Sequence, residues 1–432
     1  MTQPAAFTAE VFQNQYLPAG GQIVDAVVTV TASGSGLRAS GDAPSAAEVI
    51  MVDCSGSMAD PSTKMSEAKK ACAVAIDTLR DGVAFAVIAG RHDARMVYPP
   101  AIDLAAANPL TRQAAKDAVT RLTASGGTAI GTWLSMANEL FGRSPAEVKH
   151  AIMLTDGRNQ HETAEQLAAT LAACEGRFIC DSRGVGADWV ANELRQVAST
   201  LLGSADGLPD PAALPEEFQS MTRNAMGKAV ADAALRVWTP AGSVVRFVKQ
   251  VFPQVEDLTG RRVEVSARIG EYPTGAWGAE SRDYHLSVQV PVGGVGEELL
   301  AARVSLVAGG APMAQSLVLA TWTDDTALST KINQRVAHYT GQAELASVIQ
   351  EGLAARDAGD VPTATAKLGR AVQLAEESGH SDTAKLLGKV VDVIDAPTGT
   401  VRLKPKVAGV DAELANVRSV KTIRVKKSEE AS

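Results

Sequence analysis

The apolar residues of this chain change period along its length, and the changes divide it into four zones. From Phe7 to Thr31 they are spaced as in strands, with Ile23-Val24-Asp25-Ala26-Val27-Val28-Thr29-Val30 rich in β-branched residues behind the turn signal Pro18-Ala19-Gly20-Gly21. The pattern predicts two strands, then a Ser/Gly-rich linker from Ser33 to Ser45. From Ala46 to about Ser204, short apolar runs alternate with longer stretches of helical period. Glu48 to Val52, Val83 to Ala89, Val148 to Leu154 and Arg177 to Ile179 read as strands. Met65, Ala68, Cys72, Ile76 and Leu79 fall at helical spacing, as do Leu110, Ala114, Ala118 and Leu122. This alternation predicts a parallel sheet covered by helices, a doubly wound, Rossmann-like α/β domain.

Strand grammar returns from about Ala231 to Thr323, over Ala234 to Trp238, Val244 to Phe252, Tyr284 to Val290, Leu299 to Val307 and Ser316 to Trp322. Pro215 to Val230 before it reads as a helical bridge. Two N-terminal strands are too few to stand alone. They are expected to pair with the later strands in one antiparallel β-sandwich, with the α/β domain inserted between them. Thr326 to Ile394 is Ala/Leu-rich with helical period, broken at Gly359-Asp360 and Gly379-His380-Ser381. Its rhythm looks like one or two tetratricopeptide hairpins, fewer than the roughly three needed for a free-standing solenoid. The expected organisation is N-terminal strands over 1–45, the α/β domain over 46–204, a bridging helix over 205–230, the β-sandwich over 231–325, a small TPR-like helical segment over 326–395 and a basic flexible tail over 396–432.

Composition narrows the function. The 432 residues carry 41 Lys and Arg against 49 Asp and Glu, a net charge of −8, which argues against nucleic acid as a partner. Aromatic residues make up only 4%, too few for a base-stacking platform. The longest apolar runs fall far short of the roughly 20 residues of a membrane helix, and Met1 to Glu10 lacks the pattern of a secretory signal. A cytoplasmic location is expected. Cys54, Cys72, Cys174 and Cys180 form no CxxC pair and have no histidines at zinc spacing, so they read as reduced core thiols.

The chemistry lies where strands end. Val49-Ile50-Met51-Val52-Asp53 runs into Cys54-Ser55-Gly56-Ser57-Met58, which places a carboxylate and two hydroxyls in one loop at the carboxyl edge of the sheet, where open α/β sheets bind ligands. Ser125-Gly126-Gly127-Thr128 brings a third hydroxyl just before a helix. Leu154-Thr155-Asp156-Gly157 brings a second carboxylate at the end of another strand. Hydroxyls with sparse carboxylates suit a hard dication such as Mg²⁺.

Together, Asp53-x-Ser55-x-Ser57, Thr128 and Asp156 resemble, at all five positions and in order, the metal-ion-dependent adhesion site of the von Willebrand factor type A family, of the bacterial intracellular kind. The resemblance covers about Ala46 to Ser204. It implies that Ser55, Ser57 and Thr128 ligate Mg²⁺ or Mn²⁺ directly or through water, with Asp53 and Asp156 behind them. It also implies that a protein partner completes the coordination with its own Asp or Glu. Cys54, a soft thiol, reads as packing.

The implied function is a non-enzymatic protein-binding scaffold in intracellular signalling or complex assembly. Partners of such proteins include forkhead-associated proteins, Ser/Thr kinases or phosphatases, and AAA+ ATPases. One alternative is a Mg²⁺-dependent phosphate-ester hydrolase, although it would lack a P-loop lysine, a catalytic histidine close to the motif and a second carboxylate pair for two-metal chemistry. Another is a scaffold that binds through its helices and phosphorylated tail only.

Weaker signals surround the motif. His92 and His161, with Arg91, Arg95 and Arg158, fall in loops near the expected metal edge and read as solvated. Trp133, Trp238, Trp277 and Trp322 read as core packing. In the tail, Thr400-Val401-Arg402-Leu403 and Thr422-Ile423-Arg424-Val425 repeat a Thr-apolar-Arg-apolar string similar to the phosphothreonine ligands of forkhead-associated domains, which makes Thr400 and Thr422 candidate phosphorylation sites.

Overall fold

The computed structural model describes residues 7–33 and 44–424, which fall into two compact units. Residues 44–231 and 406–418 form one of them, around a sheet ordered Ala205–Leu208, Ile179–Val185, Val148–Thr155, Ala46–Asp53, Ala84–Gly90 and Ala94–Tyr98. The first five strands are parallel. Ala94–Tyr98 runs antiparallel at the edge, and the short Ala105–Ala106 also pairs with Ala84–Gly90. Every residue of Ala46–Asp53 is buried, as a strand covered on both faces requires.

On one face the helix Thr63–Thr78 turns Ala68, Ala71, Cys72, Ala75 and Ile76 onto Ile50, Val52, Phe85 and Ile152. Local chemistry sets helix starts on both faces. Asn108 and Thr163 each close a capping box, and Pro109 takes the first position of Pro109–Thr120, where its missing N–H costs nothing.

Two expectations about this unit are corrected. The stretch 205–230 is not a bridge: Ala205–Leu208 is the sixth strand in chain order of the main path, and Leu214–Met226 buries Leu214, Phe218, Met221 and Ala225 in the same core as Thr63–Thr78. The basic tail over 396–432 is not flexible through its described part. Gly409–Arg418 is a helix whose Leu414, Ala415 and Val417 are buried. It docks on Ala191–Thr200, where the Glu413 carboxylate accepts the Ala191 N–H at 2.7 Å, and on Ala205–Leu208, where Arg418 pairs with Asp206 at 2.7 Å. Charge had concealed an apolar stripe, Val410, Leu414 and Val417, at helical spacing.

The other unit comprises residues 7–33, 232–405 and 419–424. Each of its two sheets mixes early and late strands. One runs Phe7–Gln13, Ile23–Ala32, Ser281–Gln289, Val244–Phe252, Glu256–Asp257, with Val28 opposite Tyr284. The second runs Val263–Ser266, Ile269–Trp277, Val230–Trp238, Glu298–Ala308, Ala311–Thr323, Tyr16–Pro18. Three early strands form rather than two. Ile269–Trp277 carries no strand pattern in its sequence, which Gly270, Pro273 and Gly275 interrupt. Pro273 lies beyond the stretch paired with Val263–Ser266.

The helices Gln334–Asp357 and Val361–Glu377 meet in an antiparallel hairpin turning at Gly359, whose φ is +77°. Gly352 lets the two approach, since an added Cβ would stand 2.8 Å from Leu368. The helix Ser381–Val390 follows, then the hairpin Val391–Asp395/Thr400–Leu403. Residues 419–424 are fixed as well. Thr422 donates its hydroxyl to the Val251 carbonyl at 2.7 Å, and Ile423 exchanges hydrogen bonds with Gln342 at 3.0 and 2.7 Å. Val425 of the second Thr-apolar-Arg-apolar string and residues 426–432 of the expected tail, like most of the expected linker, lie outside the described residues.

Candidate metal centre

Three loops leave the carboxyl edge of the parallel sheet side by side. The strand Ala46–Asp53 delivers Asp53, fully buried, and the chain then winds into a short 3-10 turn over Gly56–Ala59. Asp53 Oδ1 accepts the Ser55 N–H at 2.7 Å, which folds the loop back on its own strand end. Ser55 Oγ stands 3.0 Å from Ser57 Oγ, and Ser57 donates to Asp156 Oδ1 at 2.7 Å. Two serines of one loop and a carboxylate about a hundred positions later thus share one chain of hydrogen bonds.

The Thr128 loop is tied to both of its neighbours. Gly56 donates to the Gly126 carbonyl at 2.9 Å and Ser125 to the Cys54 carbonyl at 2.7 Å. The segment after Asp156 caps the helix Ile130–Arg143: Asn159 Oδ1 accepts from Ile130 N at 2.9 Å, and Glu162 Oε1 accepts from Gly131 N at 2.6 Å. A carboxylate at a helix N-terminus is favoured by the unpaired N–H groups there. These caps fix where Thr128, itself buried, stands relative to Asp156.

Electrostatics follow burial. Burial pushes the Asp53 carboxyl up to about 6, opposed by hydrogen bonds from Ser55 and Thr155 and reinforced by the neighbouring Asp156 charge. Burial likewise pushes the Cys54 thiol up to about 12, with the Asp53 charge adding to it, so Cys54 is an inert packed thiol. All four cysteines are free and buried.

The residues fit a hard cation. Ser55, Ser57, Thr128 and Gly157 line a pocket of about 710 Å³ with His92, Arg158, Gln160, His161 and Asp188 around them. A Cβ added at Gly157 would stand 3.2 Å from Ser57 Oγ and 3.5 Å from Thr128 Oγ1, so the glycine leaves open the gap on which both hydroxyls converge. Among the described residues no three His, Cys, Asp or Glu side chains gather as a metal group. The donor set here is instead hydroxyl oxygen backed by carboxylate, which suits Mg²⁺ or Mn²⁺.

Two residues that touch this network escaped the sequence reading. Thr155 donates its hydroxyl to Asp53 Oδ2 at 2.6 Å, and Lys64 Nζ pairs with Asp156 Oδ2 at 2.8 Å. Thr155 was visible beside Asp156, but nothing local marked its direction. His92 and His161 lie at the pocket with ring centroids 6.1 Å apart. Trp133 is core, packed over Gly90 and donating to the Arg91 carbonyl at 2.7 Å. Trp277 and Trp322 are buried and Trp238 is half-buried. Thr400 is exposed on its hairpin, remote in sequence from the three loops.

Residues 47–206 match the family model described as von Willebrand factor type A domain, and residues 373–419 match the von Willebrand factor type A C-terminal domain. A solved structure described as von Willebrand factor type A from Catenulispora acidiphila is 50% identical, covers 98% of this chain and 99% of its own, and superposes with a TM-score of 0.91. The chain belongs to the von Willebrand factor type A family. Domains of this family are in general protein-interaction modules.

Two more distant structures share the fold of this von Willebrand factor type A protein over most of its length. The ArnB paralog VWA2 from Sulfolobus acidocaldarius is 13% identical, with a TM-score of 0.54 over 96% of this chain and 98% of its own. The human COPII-coat protein Sec24c is 9% identical, with a TM-score of 0.54 over 92% of this chain and 60% of its own. No curated protein matches the sequence. No helix among the described residues is long and apolar enough to cross a membrane.

Proposed function

We propose that this chain is a non-enzymatic scaffold that captures a protein partner through a divalent cation, Mg²⁺ or Mn²⁺. In this reading Ser55, Ser57 and Thr128 ligate the cation, Asp53 and Asp156 orient them, and an Asp or Glu of the partner completes the coordination. The observation that carries it is that Ser55, Ser57 and Thr128 line one pocket, with the buried carboxylates of Asp53 and Asp156 hydrogen-bonded to the two serines behind it, the five residues coming from three separate loops. A cation with few anionic ligands stays electrophilic enough to take an incoming carboxylate. The test is a pull-down from cytoplasmic extract by the wild-type chain and by Asp53→Ala in Mg²⁺. Partners lost both in the variant and on adding EDTA support the reading, and capture unchanged in EDTA sinks it.

The rest of the chain is read as the frame: the two mixed sheets as one β-sandwich, and the helical hairpin as a TPR-like docking segment. A second contact, by phosphothreonine to a forkhead-associated protein, is favoured at Thr400 by its exposure. A phosphate there would give an Arg-lined pocket a dianionic acceptor. A kinase, phosphatase or AAA+ ATPase partner fits the same cytoplasmic signalling or assembly role.

A further inference from the structure

Lys64 enters the site from the first turn of the helix Thr63–Thr78, yet only 4% of it is exposed. Its Nζ donates to Asp156 Oδ2 at 2.8 Å while Asp156 Oδ1 accepts from Ser57 at 2.7 Å. One carboxylate is therefore held between a fixed ammonium and a candidate ligand hydroxyl. The ammonium also lies 3.5 Å from the Ser57 carbonyl and 3.8 Å from the exposed Asp188 carboxylate. Its stem passes so close to Gly186 that an added Cβ there would meet Cε at 2.8 Å. Desolvating an ammonium is costly unless it is paired, and the partner that compensates Lys64 is the buried carboxylate of Asp156.

We propose that Lys64 makes the metal centre depend on its partner. It is a positioning residue whose fixed positive charge weakens binding of the free dication and strengthens capture of a carboxylate by the loaded site. This inference rests on the metal reading above. In formal charges, Asp53, Asp156, Lys64 and a dication leave +1, which a partner carboxylate cancels, and the exposed Asp188 and Arg158 at the same pocket offset each other. Without the lysine the loaded site is already neutral, and a carboxylate would leave it negative. At an effective dielectric of about 20, removing one unit charge from beside a bound dication changes a binding constant at least about tenfold.

A purely structural role has the opposite sign. Losing a brace on Asp156 would loosen the site and weaken the cation, whereas the charge role requires the cation to bind more tightly. The test is calorimetric titration of the full chain with Mg²⁺ alone, then in acetate as the carboxylate probe, for wild type, K64M, K64Q and K64R. Circular dichroism checks folding, and K64Q carries the comparison if K64M does not fold.

The expected result is that K64M and K64Q bind Mg²⁺ at least about tenfold more tightly, with a larger Mg²⁺-dependent rise in melting temperature. K64R stays near wild type, and acetate tightens Mg²⁺ binding more in wild type than in the neutral variants. Folded neutral variants that bind Mg²⁺ no more tightly overturn the proposal and leave the metal reading standing. A wild-type chain that binds no Mg²⁺ overturns both.

Discussion

Thr155 donates its hydroxyl to Asp53 Oδ2 at 2.6 Å, from the strand neighbouring the one that Asp53 ends. Both residues are buried, so the bond meets an acceptor that water does not reach. Removing the donor strands a buried carboxylate oxygen, which costs more than the bond's net worth. Thr155→Val, which keeps the β-branched shape, is expected to lose about 1–3 kcal/mol of stability. Thr155→Ser should recover most of it. Urea unfolding of the three chains measures the difference.

A second polar network crosses the same sheet away from the metal edge. His150 bonds Glu48 through Nδ1 at 2.9 Å and Asp181 through Nε2 at 3.1 Å. Burial alone would lower its pKa, but the charge of Glu48 and hydrogen bonding to Asp181 push it up to about 10. Between the unfolded value, about 6.5, and about 10 the folded state holds the extra proton. Its stabilisation is therefore complete below the lower value and lost as pH rises through the upper one. Unfolding midpoints should fall between pH 7 and pH 10. His150→Gln, which leaves Glu48 and Asp181 without their cation, is expected to cost roughly 3–5 kcal/mol at neutral pH and to flatten that slope.

The docked C-terminal helix rests on Leu414, only 3% exposed. Leu414→Ala is expected to remove about 2–4 kcal/mol from its docking. The effect should be local. Hydrogen exchange should accelerate at Ala191, whose N–H is held by Glu413, and limited proteolysis should cut within 406–418 while the strand Ala46–Asp53 stays protected.

Thr400 and Thr422 sit in matching strings but different surroundings. Thr400 is exposed, its hydroxyl bonded to that of the equally exposed Thr398 at 2.8 Å, whereas the Thr422 hydroxyl is engaged by the Val251 carbonyl and its N–H by Pro253. A Ser/Thr kinase acting on the folded chain should modify Thr400 alone, and Thr422 only once residues 419–424 are displaced. Site mapping by mass spectrometry on native and urea-treated protein distinguishes the two, and equal modification of both in the native chain would falsify this account.

Alternating apolar runs and helical stripes were enough to read the doubly wound domain, because periodicity records locally which face each element buries. The three candidate metal loops were legible for a related reason. Each follows directly on a strand or precedes a helix, so a parallel sheet brings Asp53, Ser57, Thr128 and Asp156 to one edge without further information. Tertiary structure alone decided how these residues are charged and held. Lys64 looks in sequence like any helical lysine, and only packing buries it against Asp156. Thr155 could have pointed to either face until the neighbouring strand supplied Asp53. The helix Gly409–Arg418 read as tail because it lies in a stretch dominated by Lys and Arg, and its three apolar contacts matter only once Ala191–Thr200 and Ala205–Leu208 are present to receive them. Local pattern fixes where elements start and what they expose. Which buried charge meets which counter-charge depends on chain segments far apart in sequence, and no local period records it.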